Sequence, residues 1–79
     1  MWKIEYSNEV KFYFIDNYPY TFALLIKIEE LRHQPDAIPQ EGCTQIEDGL
    51  LWWETLEHIV VYERLEKEQR INVATIKPM

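Results

Sequence analysis

The hydrophobic pattern of this chain changes period once, near Leu50, and that change limits what it can fold into. Upstream, Phe22, Leu24, Leu25, Ile26, Ile28 and Leu31 recur at three- and four-residue spacings, as a helix with an apolar stripe requires. Downstream, Leu50–Thr55, His58–Leu65 and Arg70–Ile76 are runs rich in β-branched and aromatic residues, separated by short polar breaks. They predict three strands in an antiparallel meander. Helices grouped ahead of strands place the chain in the α+β class.

The N-terminus adds one more strand. Trp2, Ile4 and Tyr6 alternate with Lys3, Glu5 and Ser7, a period of two that buries one face. Ser7 and Asn8 are helix-capping residues and Glu9 puts negative charge in a first turn, so a helix begins near Asn8. It carries Val10, Phe12, Tyr13, Phe14 and Ile15 and stops around Asp16 to Tyr18, because Pro19 disfavours helical geometry in the residue before it. Pro19 suits the first turn of the second helix, which runs to His33, and the short connection predicts an antiparallel helical hairpin. Pro35 and Pro39 punctuate a polar loop to Gly42, and Glu66-Lys67-Glu68-Gln69 forms a hairpin turn. The resulting order is β-α-α-β-β-β: an N-terminal strand plus an antiparallel meander, with the helical hairpin on one face.

At 79 residues there is room for a single domain, residues 1–79, near the lower size limit for a lone core. A hydrophobic content of 47%, with 14% aromatic residues, argues against disorder. The lone Cys43 closes no intrachain disulfide, so stability comes from packing, oligomerisation or a partner. No apolar run approaches the length of a membrane span, and Met1-Trp2-Lys3-Ile4-Glu5 lacks the pattern of a secretion signal, which predicts a cytoplasmic protein without membrane contact. A net charge of -6 disfavours nucleic acid as a partner.

Few residues point to chemistry. Cys43, His33 and His58 show no paired ligand spacing, so no metal is expected, and Gly42 and Gly49 are too few for a phosphate loop, so no cofactor is expected. Cys43 reads as a small packed residue and His58 as a hydrogen-bonded sheet histidine in preference to a general base. Phe12 to Phe14 read as core packing in preference to base stacking, because only Lys11 accompanies them. Glu54, Glu57, Glu63, Glu66 and Glu68 read as a solvated acidic face in preference to a docking surface for a basic partner.

Trp52 and Trp53 are the most diagnostic pair, since adjacent strand residues point to opposite faces and both cannot enter one core. One must lie on the open face of the sheet, where either a partner or the chain's own loop or tail would cover it.

The element order resembles the RelE/ParE family of toxin–antitoxin toxins. Tyr6-Ser7-Asn8-Glu9-Val10 is similar to that family's strand-to-helix entry, and Ile28-Glu29-Glu30-Leu31 with Pro35 to its second-helix exit. Gly49-Leu50, Val60-Val61-Tyr62 and Ile71 to Ile76 fall where its later strands do. The resemblance implies a small prokaryotic protein that binds an antitoxin, and, in RNA-cleaving members, strand arginines that hold the scissile phosphate. At the corresponding positions stand Trp52, Glu54, Ile59 and Thr75, and the tail is Lys77-Pro78-Met79. Losing several transition-state donors, at roughly 3 kcal/mol each, leaves little activity.

The family register places Leu51 and Trp53 inward and Trp52, Ile59 and Val61 on the open face. Trp52, Glu54, Ile59, Val61 and Thr75 are thus the candidate partner-binding residues, with an antitoxin or a second copy of the chain as the partner. Arg64, Arg70, Lys77 and His58 are the candidates if ribosome-dependent RNA cleavage survives. A non-toxic interaction module with the same fold is the third reading.

Overall fold

The computed structural model describes all 79 residues, Met1–Met79. β1 (Lys3–Tyr6) leads into α1 (Asn8–Asp16) and α2 (Phe22–Glu29), which tightens into a 3-10 turn over Glu30–His33. Then follow β2 (Cys43–Glu47), β3 (Leu50–Thr55), β4 (His58–Leu65), a 3-10 turn at Glu66–Glu68, and β5 (Arg70–Pro78). The strands form one mixed sheet in the order β1-β5-β4-β3-β2, with β1 parallel to β5 and every other pair antiparallel. The α+β class and the three predicted later strands are as the sequence implies.

The strand-to-helix corner is set at Ser7. Its hydroxyl accepts from the Val10 amide at 3.2 Å, capping α1, and donates to the Ala74 carbonyl at 3.0 Å, tying that cap to β5. The other end of α1 is closed by Asn17, whose backbone and side-chain N–H groups both donate to the Tyr13 carbonyl.

Three local expectations need correction. Pro19 does not enter α2. It lies in a turn whose carbonyl accepts from the Phe22 amide at 3.0 Å, and the buried Thr21 packs beneath that corner, so the helix starts three residues later than the proline. Cys43–Glu47 is a fifth strand absent from the predicted order. It lacks alternation and most of it is exposed, but pairing with β3 satisfies its backbone where its side chains give no signal. Phe12 is not core: on α1 only Val10 is buried and Tyr13 and Phe14 half-buried, while Phe12 is 62% exposed.

Both helices cover the same sheet face. Val10, Leu24, Ile28 and Leu31 share one core with Leu51, Trp53, Val60, Tyr62, Ile71, Val73 and Ile76. Simple alternation along β5 would send Thr75 inward with Ile71 and Val73. A bulge prevents this: Tyr62 pairs with Val73 but Val61 with Thr75, so Ala74 is the extra residue and inward placement resumes at Ile76. Thr75 and Lys77 therefore face away from the helices.

The loop after the 3-10 turn is held by its carbonyls. Trp2 Nε1–H donates to Pro35 at 3.3 Å, Arg64 Nε–H to Asp36, and the Tyr62 hydroxyl to Ala37 at 2.8 Å. Ala37 is fully buried and left-handed (φ 56°). Gly42 ends the loop with φ +75°, and a Cβ there would lie 2.4 Å from the Glu54 carbonyl oxygen, so only glycine fits.

The β3–β4 hairpin turns on Leu56 and Glu57, both with positive φ (48° and 60°), the type I′ geometry that Asn-Gly prefers. Left-handed non-glycine residues cost roughly 1–2 kcal/mol each. Replacing Leu56-Glu57 by Asn-Gly therefore raises unfolding stability by about 1–2 kcal/mol, read as a higher urea midpoint with unchanged slope.

Candidate functional site

Strand period places Trp53 beneath the helices, 2% exposed, and Trp52 on the opposite side of the sheet. On that open face Thr44, Trp52, Val61 and Thr75 form one cross-strand row and Glu54, Ile59 and Lys77 the next. Leu50, Glu63, Asn72 and Glu5 make a third row on the other side of Trp52. The candidate partner-binding residues Trp52, Glu54, Ile59, Val61 and Thr75 are thus brought together.

Trp52 is fixed by its neighbours. Its indole N–H donates to Glu54 Oε2 at 3.0 Å, and Lys77 Nζ sits 6.0 Å from the ring centroid, at the outer limit of a cation–π contact. Trp52, Ile59, Val61 and Thr75 are each half-buried. The face has an apolar centre bordered by Glu54, Glu63, Lys77 and Asn72, and Asn72 Nδ2–H donates to Glu63 at 3.2 Å. Buried aromatic surface inside a polar rim is the usual anatomy of a protein-binding patch.

The four candidate catalytic residues are not brought together. Arg64 and His58 lie on the helix side of the sheet. Arg64 stacks 5.1 Å from the Trp2 ring centroid, donates to the Asp36 carbonyl and approaches Glu66 at 3.5 Å. His58 Nδ1–H donates to the Leu56 carbonyl, leaving Nε2 to accept from the Tyr13 hydroxyl, both at 2.8 Å. Both ring nitrogens are occupied. Arg70 and Lys77 share the open face but stand seven residues apart on β5, roughly 20 Å at strand rise. Arg70 is paired with Glu68 at 3.0 Å and faces Glu5 at 3.8 Å. Lys3 lies beside Arg70 on this face, but Lys77 is remote from both, so the candidate cations Arg70 and Lys77 do not meet at one point.

Cys43 points inward beside Tyr62, and burial pushes its thiol above its ordinary value, so it is not poised as a thiolate. An open groove of about 460 Å³ runs between Lys27, Glu30 and Gln34 on one wall and Glu41, Gly42 and Glu54 on the other. Its charged groups are mixed in sign and do not converge on one point.

No protein-family model, no curated protein and no solved structure matches this chain.

One polar cluster escapes sequence reading, because Trp2 and Tyr6 lie far in the chain from the Glu29–Arg32 pair they meet. The Tyr6 hydroxyl donates to Glu29 Oε2, and Arg32 Nε–H donates to Glu29 Oε1 at 2.7 Å while Nη1–H reaches the Trp2 carbonyl at 3.3 Å. Burial, reinforced by the Glu29 contact, raises the Tyr6 phenol above its ordinary value. For Glu29, burial acts upward but is outweighed by the Arg32 and Tyr6 hydrogen bonds and the Arg32 charge, so its carboxyl lies below its ordinary 4.5. The phenol stays protonated and the carboxylate ionised, which joins β1 to the end of α2 and supplies no free base.

Because Glu29 is depressed on folding, its contribution is fully present above 4.5 and is lost as pH falls through its lower folded value. The stability gap between the wild type and Glu29→Gln should therefore narrow on acidification below 4.5 and stay constant above it, as followed by urea midpoints across that range. A gap that widens toward low pH contradicts the assignment.

Proposed function

We propose that this chain is the toxin-family component of a type II toxin–antitoxin system, RelE/ParE-like in fold. On this reading it acts in the cytoplasm through protein–protein binding, with ribosome-dependent RNA cleavage weak or lost. The observation that carries it is the open sheet face: Trp52 stands at its centre among Ile59, Val61 and Thr75, while Arg64 lies on the other side of the sheet.

The element order and the helices on one face agree with the resemblance, and β2 extends the sheet beyond it at one edge. Phosphoryl chemistry on RNA needs several donors aimed at one point, and removing one typically costs about 3 kcal/mol. Here Lys77 is stacked toward an indole and Arg70 is neutralised by two carboxylates. A bound antitoxin segment, by contrast, needs an apolar anchor and a polar border. An acidic chain of net charge -6 is also better matched to a protein segment than to an RNA backbone.

The direct test adds purified protein to translating ribosomes and maps cleavage of the message. No codon-phased cuts are expected, and cuts that vanish in Arg70→Ala or Lys77→Ala would establish the endoribonuclease instead.

Binding is tested with the product of an adjacent small reading frame as the antitoxin. Trp52→Arg should weaken that complex at least about 30-fold, the size of a hot-spot loss, while the far-UV spectrum and thermal midpoint show a folded monomer. Growth arrest on expression, relieved by that antitoxin, separates a toxin from a non-toxic module of the same fold.

A further inference from the structure

The largest exposed apolar surface lies away from the open sheet face, on the outer side of the helical segment. Phe12 is 62% exposed, Ile15 69%, Tyr18 68%, Tyr20 90%, Phe22 51% and Ile26 47%. Helix geometry explains the grouping. On α1 the inward positions are Val10, Tyr13, Phe14 and Asn17, which leaves Phe12 and Ile15, three apart, on the outer side. On α2 the inward positions are Leu24, Leu25 and Ile28, which leaves Phe22 and Ile26, four apart, outside. Tyr18 and Phe22 join the two sets across the corner, their rings edge to face at 6.3 Å.

At roughly 200 Å² for a large side chain, these six expose about 800 Å². A standard interface buries about 800 Å² on each partner, so the exposed area of these six residues together, joined across the corner by Tyr18 and Phe22, is comparable to one side of a dimer contact.

Charge points to the same occupant. From Asn8 to Glu29, the span of α1 and α2, the acids Glu9, Asp16 and Glu29 stand against Lys11 and Lys27, and Glu29 is itself paired with Arg32, so nearly all of the chain's net -6 lies outside this segment. Two copies can meet here with little local repulsion, and the distant acids are screened over a Debye length of about 8 Å at physiological salt. A membrane surface is a poorer fit, since interfacial helices are rich in Lys and Arg on their polar side and this segment has only Lys11 and Lys27. A chain of 79 residues with no disulfide also gains stability by burying more surface in a second copy.

We infer that the outer face of α1, α2 and the corner between them is a self-association surface, through which two copies of this chain form a two-fold dimer. Each copy presents the same patch, as a closed symmetric pair requires. The sheet faces stay outside this contact.

The experiment is sedimentation equilibrium of the full chain across micromolar concentrations, alongside Phe12→Glu, Tyr20→Glu and Trp52→Arg. The wild type should be dimeric. Phe12→Glu and Tyr20→Glu should each raise the dimer dissociation constant at least about 30-fold, and Trp52→Arg should leave it unchanged. Tyr20 is 90% exposed, so its variant keeps the fold and the test holds even if Phe12→Glu does not. A wild type that is monomeric throughout, with or without binding to lipid vesicles, overturns the inference. So does a dimer that survives both glutamate variants, or one that only Trp52→Arg dissolves. The Trp52→Arg arm separates failure here from failure of the proposed sheet-face function.

Discussion

Three consecutive backbone carbonyls, those of Pro35, Asp36 and Ala37, hold the two halves of the molecule together. The segment that carries the chain from the helices to β2 has no ladder of its own, so its polar groups must find partners elsewhere. Trp2, Arg64 and Tyr62 each supply a donor. Two of those donors come from residues almost wholly buried, and a hydrogen bond nets only about 1 kcal/mol, whereas leaving a buried group unpaired costs up to about 3 kcal/mol. The loop is therefore fixed more by the penalty of misplacing it than by the strength of its contacts. Arg64 is committed as a consequence: a guanidinium stacked on Trp2 and bonded to a loop carbonyl is part of the scaffold, even though a strand arginine in this kind of sheet looks functional in one dimension.

How much of this was legible depended on whether neighbouring residues differ enough in character to reveal a period. Trp52-Trp53 is informative because strand geometry forces adjacent residues apart, so one must face inward and the other outward; geometry alone leaves open which, and packing beneath the helices takes Trp53. Around Phe12 the pattern fails. Phe12, Tyr13, Phe14 and Ile15 are all apolar, so a helix can turn any side of that run inward, and packing against β5 decides. β2 was invisible for the opposite reason, since Cys43 to Glu47 shows neither alternation nor β-branched density and exists as a strand through backbone pairing. The orientation of Thr75 depends on one extra residue at Ala74, which no local composition announces.

The open sheet face and the outer helical face lie on opposite sides of the molecule and differ in character. The sheet side has a central indole held by Glu54 and Lys77, so its apolar surface is small and its border polar, suited to a partner that must be recognised. The helical side is larger, aromatic and nearly balanced in charge, suited to a contact that needs area more than discrimination. Most of the acidic excess lies outside the helical segment, which keeps the two surfaces chemically distinct.

The strand order has a consequence for how the protein is made. β5 is the last of the strands to leave the ribosome, yet it lies between β1 and β4 and supplies Ile71, Val73 and Ile76 to the core. Until it emerges, β1 has no neighbour and the helices have an incomplete sheet to rest on. The native core therefore closes only once the chain has been made through β5 and released into solvent. A chain truncated before Ile71 would leave the β4 edge unpaired and the helices resting on an incomplete sheet.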